Sequence, residues 1–290
     1  MEAELLSVLP EPRSVQSDAR RWWASEKSVA VPAGLLLIYF LVALIVPVVW
    51  PWGANTAKLS IHLQSPSWTH PFGTDEFGRD MLARFFTGAR LSMLVGLTSV
   101  SIGAVFGMVI GSVAGLMGGI VDAIVMRGLD TLLAFPALIL GIAVALAIGP
   151  GVLAPAVAVT VASIPWYARR VRSEVLSLKT RTFFDAEKLM GWGRVHVLWH
   201  HVFPAVLDGV VVQASLAVGY AVLTVAGLGY IGLGVRPPTS EWGAMIADGQ
   251  SYLLTGQWWV AVIPGIGLLL LVALTIRLGD ALASRFAYAV

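Results

Sequence analysis

The stretch Leu91-Ser-Met-Leu-Val-Gly-Leu-Thr-Ser-Val-Ser-Ile-Gly-Ala-Val-Phe-Gly-Met-Val-Ile-Gly-Ser-Val-Ala-Gly-Leu-Met117 decides the fold class. It carries no charge and exceeds the ~20 residues that a helix needs to cross a bilayer. A helix that is apolar all round belongs in lipid or in the middle of a large core. Gly103, Gly107, Gly111 and Gly115 recur at every fourth position and so share one face. Small residues at that spacing let a second helix come close, which predicts a helix packed within a bundle. Channels, transporters and receptors all use this device, so it names no substrate.

Five further charge-free stretches flank it: Val29–Trp50, Thr131–Ile148, Val152–Ala168, Gly209–Val235 and Trp258–Ile276. Gly149-Pro150-Gly151 is a turn signal that divides the middle pair. The first stretch ends in Val-Val-Trp-Pro-Trp rather than a small-residue cleavage site, and reads as a retained span, not a signal peptide. Composition agrees: 57% of residues are hydrophobic and only 12% charged, with a mean hydropathy of +0.81. A soluble chain of this length needs more charge to cover its surface. The net charge of +2 gives no footprint for nucleic acid, and the lack of cysteine excludes disulfides, zinc–thiolate sites and a cysteine nucleophile. The expectation is an all-α membrane protein with a polar tail over 1–28 and a single membrane domain of six spans over 29–290.

Lysine and arginine orient it. With the N-terminus inside, the inner segments hold most of the basic residues, including Arg20, Arg21, Arg127, Arg169, Arg170, Arg172, Lys179, Lys188 and Arg277. The outer segments keep Lys58, Arg79, Arg84, Arg90 and Arg236. The positive-inside rule then predicts both termini in the cytoplasm, with 51–90 and 236–257 outside and 169–208 inside.

That inner loop is far longer than a connector requires. Val171, Val175 and Leu178 have helical spacing. Phe183-Phe-Asp-Ala-Glu-Lys-Leu-Met-Gly191 reads as a short helix closed by a glycine cap. Val195-His-Val-Leu-Trp-His-His-Val-Phe-Pro204 leads back to the membrane. The loop resembles the cytoplasmic "EAA" signature of bacterial ABC importer permeases, a Glu-Ala-Ala, a Gly and a closing Ile-x-Leu-Pro. Asp185 stands for the Glu, Ala186 and Gly191 match, and Pro204 falls at the required distance; Glu187, His201 and Phe203 depart from the general pattern.

The resemblance extends over most of the chain. His70-Pro-Phe-Gly-Thr-Asp-Glu-Phe-Gly-Arg-Asp-Met-Leu-Ala-Arg84 and Gly88-Ala-Arg90 are similar to the family's segment before its second helix. Gly227-Leu-Gly-Tyr-Ile-Gly-Leu-Gly-Val-Arg-Pro-Pro238, Glu241-Trp-Gly243, Ala247-Asp-Gly249 and Leu278-Gly-Asp-Ala-Leu282 are similar to its later segments. The chain therefore resembles the second permease of dipeptide, oligopeptide and nickel importers. That implies a type I importer permease fold in a bacterial inner membrane and a subunit that is not itself an enzyme. It also implies coupling to an ATPase through Asp185, Ala186, Glu187, Lys188, Met190, Gly191, Trp192 and Pro204. The implied partners are a second related permease in a heterodimer, two ATPase subunits or a fused ATPase, an extracytoplasmic binding protein and membrane lipid. No cofactor is expected in this chain; ATP and Mg would sit on the ATPase.

The residues support that division of labour. The nearest thing to a phosphate loop, Gly73-Thr-Asp-Glu-Phe-Gly-Arg-Asp80, lacks the Lys-Ser/Thr ending, so an uphill importer needs its ATPase elsewhere. The same stretch predicts a turn at Gly73 and a helix N-cap at Thr74 or Asp75, with Phe77, Met81, Leu82 and Phe85 forming an apolar face. Gln213, Ser215, Tyr220 and Thr224 are polar groups within the fifth span, open to two readings: pathway lining or helix–helix hydrogen bonding. His196 and His200 have the i, i+4 spacing of metal ligands but lack a third ligand nearby, so no metal site is expected. Asp122, Arg127 and Asp130 read as a boundary cluster with an Arg127–Asp130 pair. The rival to a peptide importer in the same family is a nickel or haem importer. A proton-coupled secondary transporter would need ionisable residues within its spans, and these stretches have none; a membrane-embedded enzyme would need a clustered nucleophile or metal set.

Overall fold

The apolar runs become helices because lipid offers no partner for backbone N–H and C=O groups, which must then bond within the segment. A computed structural model describes residues 15–180 and 192–287. Helix α1 (Val15–Val49) reaches back into the expected polar tail. Helix α2 (Met81–Met117) begins well before Leu91, with Asp80 as its N-cap: the carboxylate accepts from the Ala83 N–H at 2.8 Å. The cap is therefore Asp80 and not Thr74 or Asp75. Helices α3 (Gly119–Leu133) and α4 (Ala137–Ile148) follow, then α5 (Leu153–Leu178). A short turn α6 (Arg194–Val197) and a π-turn (Leu198–Val202) lead into α7 (Phe203–Tyr230), and α8 (Trp242–Gly249) and α9 (Trp259–Ala287) complete the chain.

The expected third span, Thr131–Ile148, is not one helix. It breaks before Pro136, and the two arms, Gly119–Leu133 and Leu138–Ile148, meet at 91°. Proline disfavours the helical conformation of the residue before it, here Phe135, so the chain turns. Gly149, at φ +93°, closes α4 and makes the expected turn into α5. Among the described residues, Ser28–Val49, Met81–Met117, Leu198–Tyr230 and Trp259–Phe286 are long and apolar enough to cross a membrane, and the bent pair makes a fifth. The expectation of six is thus corrected to four or five by that measure. Helix α5 falls short of it because Arg169, Arg170 and Arg172 follow directly on its apolar half.

The glycine stripe of α2 packs on α5. A Cβ added at Gly103 would strike the Ser163 hydroxyl, one at Gly107 would lie 2.4 Å from Tyr167 Cβ, and one at Gly111 only 2.3 Å from the Ala168 carbonyl oxygen. At Gly115 it would meet Val175 at 2.9 Å. Beside this seam, Val95, Val100, Tyr167, Val171, Val206 and Val225 form one core. A second core, around Met81, Phe85, Trp242, Trp259 and Leu271, lies where α8 meets α2 and α9. Leu37, Ile38, Ile45 and Val48 of α1 are exposed, as expected of a lipid-facing helix.

Candidate translocation groove, loop end and folded cap

Helices α2, α5 and α7 enclose a groove of about 560 Å³. Val100 lines it from α2, Ser163, Trp166 and Tyr167 from α5, and Gln213, Tyr220 and Thr224 from α7. Three of the four polar residues singled out in the fifth span therefore share one wall. Ser215 is not on it: its hydroxyl donates to the Val211 carbonyl at 3.0 Å, within its own helix. Thr224 and Ser163 also donate to carbonyls of their own helices, Tyr220 O and Thr160 O, each at 2.8 Å.

At one end of the bundle, Lys179 caps α2. Its Nζ donates to the carbonyls of Gly115 at 3.0 Å and Leu116 at 3.2 Å, the placement that a helix C-terminus favours for a cation. Nearby Arg172 grips both oxygens of Asp122, one at 2.6 Å, a bidentate geometry. Asp130 pairs with Arg169 of α5 at 2.5 Å, which replaces the expected Arg127–Asp130 pair. The cluster thus fastens α3 to α5 and does not stabilise α3 internally. Beyond the loop, Trp192 packs edge-on against His196, with ring centroids 4.4 Å apart, and stacks with His201 at 6.0 Å. His196 and His200 lie nearly parallel, 4.1 Å apart. Among the described residues no three His, Asp or Glu side chains are grouped to hold a metal ion. Pro204 opens α7, where its missing N–H costs nothing. Asp185, Ala186, Glu187, Lys188, Met190 and Gly191 lie outside the described residues.

The opposite end carries a folded cap built from residues 51–80 and 236–249. Gly73 makes the expected turn at φ +74°. Asp75 is buried; it accepts from the backbone N–H of Phe77 and Arg79, and its other oxygen meets Arg79 Nε at 2.6 Å and Arg84 Nε at 3.3 Å. Arg84 also donates to the carbonyls of Ala54 and Pro238, each at 3.3 Å, so one guanidinium joins the two segments of the cap. His70 Nδ1 lies 2.7 Å from Asp80. Of the expected apolar face, Met81 and Phe85 are in the core, whereas Phe77 is exposed beneath the Arg79 guanidinium. Glu241 is 1% exposed and caps α8, accepting from Gly243 N–H at 2.8 Å and Ala244 N–H at 3.0 Å. Burial pushes its carboxyl up to about 7, against the pull of those two donors. Burial likewise raises Glu76 and Asp248, the latter held back by Arg84 and Arg79.

This arrangement can be set beside known proteins. Residues 107–288 match the family described as "Binding-protein-dependent transport system inner membrane component". The chain belongs to that family. It is 36% identical to the probable D,D-dipeptide transport system permease protein DdpC of Escherichia coli (strain K12), covering 93% of this chain and 91% of the relative. It is also 36% identical to the di/tripeptide transport system permease protein DppC of Pseudomonas aeruginosa (strain UCBPP-PA14), over 90% and 88% of the two chains. The glutathione transport system permease protein GsiD of Pectobacterium atrosepticum is 35% identical over 96% and 94%. An inward-facing structure of the MetNI methionine ABC transporter shares the fold, with a TM-score of 0.56 at 22% identity, covering 71% of this chain and 97% of that one. The protein is thus a multi-pass inner-membrane permease with the type I ABC importer fold.

In this permease the sequence pointed to Gln213, Tyr220 and Thr224 but missed Trp166 and Tyr167, which sit beside them. Nothing in a single sequence says which face of α5 turns toward α7. Arg84 and Glu241 fell within segments of family likeness, yet their burial and their joining of distant segments are tertiary facts.

Proposed function

We propose that this permease forms half of the translocation pathway of an ATP-driven peptide importer. The observation that carries the reading is its identity of 35–36% with permeases named for D,D-dipeptide, di/tripeptide and glutathione transport, over most of both chains. Nickel or haem importers of the same family are the alternative cargo. In this reading Gln213, Tyr220 and Thr224 face the pathway, and Asp185–Trp192 together with Pro204 form the element that docks on a separate ATPase, which holds ATP and Mg. Both termini and that loop lie in the cytoplasm; an external binding protein delivers substrate to the opposite end. The polar loop, entered at the Lys179 cap, supports a site where motion is passed to α2 and α5. A second related permease completes the pathway, because one loop engages only one ATPase subunit.

The test is reconstitution in proteoliposomes with the ATPase, the binding protein and the second permease. Dipeptide uptake is expected only with ATP and both permeases. Uptake by this chain without the second permease refutes the heterodimer, and uptake driven by a proton gradient without ATP refutes the importer. Gly191→Val should uncouple uptake from ATP hydrolysis while the protein still inserts; normal uptake removes the loop from the mechanism.

A further inference from the structure

The groove between α2, α5 and α7 is mostly apolar, with a few polar groups and no charge. None of its lining residues is Asp, Glu, Lys, Arg or His. Its hydrogen-bonding capacity is also unevenly spent. The hydroxyls of Ser163 and Thr224 are used on carbonyls of their own helices. Tyr167 is 1% exposed, and its buried hydroxyl has no hydrogen-bond partner among the described residues. A buried hydroxyl left unbonded is costly, and such groups in native proteins call for a water, an ion or a ligand. Gln213, on the facing helix, brings an amide with both donors and an acceptor. Trp166 and Tyr220 expose most of their surface beside it, at 59% and 70%. The volume lies within the range of small-ligand sites.

We infer that this groove is a transit site for the main chain of a passing peptide, bound by neutral hydrogen bonds and an aromatic wall, and indifferent to the charge of its side chains. The inference rests on the peptide-importer reading above. An amide can serve a peptide C=O or N–H equally, and an aromatic face packs against the apolar stems of side chains. A fixed charge at the same place would favour cargo of one sign and repel the other. The absence of acid or base from the wall lets one path serve peptides of either charge, with Gln213 as the polar contact.

The experiment uses the complete reconstituted importer and three dipeptides: Ala-Ala, Ala-Glu and Ala-Lys. Ratios are compared with those of the unmodified complex, so that any preference of the binding protein cancels. Gln213→Glu should shift the Ala-Lys to Ala-Glu uptake ratio upward by about tenfold, and Gln213→Lys should shift it downward. That figure is the product of two opposite shifts of roughly threefold each, the value for unit charges ~6 Å apart in a water-filled groove, and a lower dielectric enlarges it. Because the chain contains no cysteine, single thiols provide a second measurement. Ala-Ala should slow the labelling of Gln213→Cys by a hydrophilic thiol reagent and leave Ser215→Cys unaffected. Uptake with unchanged ratios in both charged variants overturns the inference, as does labelling of Gln213→Cys that peptide fails to slow. Absence of dipeptide uptake by the unmodified complex instead overturns the peptide reading, and this inference with it.

Discussion

Gly111→Ala tests how the bundle is held together. The added Cβ would sit 2.3 Å from the Ala168 carbonyl oxygen and 2.9 Å from its Cα, both backbone atoms that no rotamer change can move. Restoring an ordinary contact requires α5 to retreat by about 1 Å, and a gap of that size forfeits a quarter to a half of each dispersion contact along the seam. Overpacking of this kind costs about 1–3 kcal/mol. Alanine recovers up to about 1 kcal/mol through its better helix propensity. The net expectation is a loss of about 1–2 kcal/mol by the same two estimates. Gly128 supplies the control: it lies in α3, where an added Cβ would meet no heavy atom within 4 Å, so Gly128→Ala should be neutral or slightly stabilising. Thermal unfolding of the purified protein in detergent reads both. A Gly111→Ala midpoint at or above that of the unmodified protein would refute the claim that α2 and α5 touch backbone to backbone.

Three other outcomes follow from the structure. Because burial raises the Glu241 carboxyl from 4.5 to about 7, the native state binds the extra proton between those values, so stability falls as pH rises through that window, by up to about 1.4 kcal/mol per pH unit. Glu241→Gln should flatten that slope in a pH series of unfolding midpoints while leaving the same-signed contributions of Glu76 and Asp248, and an unchanged slope would dismiss Glu241 as its source. Arg84→Lys keeps the charge but loses the fork that reaches Ala54 and Pro238; opening of the cap should become easier by about 1–3 kcal/mol, seen as faster hydrogen exchange at Leu63 and Thr74, and unaltered exchange contradicts the joining role. A double-mutant cycle of Asp122→Ala and Arg172→Ala should give a coupling of about 1 kcal/mol, whereas additive effects would make the pair incidental.

Periodicity and apolar length carried much of this architecture, because they are properties of single helices. The stripe from Gly103 to Gly115 announced a close neighbour, and the sequence could not say that the neighbour is α5, since pairing depends on both helices. Pro136 carried a break signal that the apolar run around it masked. At the start of α2 Thr74, Asp75 and Asp80 are all competent caps; Asp75 is taken by Arg79 and Arg84, and Asp80 remains to cap the helix. The Arg127–Asp130 spacing was sound for an isolated helix, yet Arg169 of α5 reaches Asp130 across the bundle. For the groove, Gln213, Tyr220 and Thr224 were visible as polar letters in an apolar span, whereas nothing in the sequence of α5 singles out Trp166 and Tyr167.

Mechanically, the two boundaries of α5 differ in kind. Toward α2 it meets glycines, with almost no side-chain padding between the backbones, so that contact behaves as a weld: sliding would drive carbonyls into Cα atoms at once. Toward α7 it faces the groove, where Trp166, Gln213 and Tyr220 have room to change rotamer. A push delivered at the Lys179 end is then carried by α2 and α5 as a single beam, and the give occurs along the α5–α7 face, where side chains act as bearings.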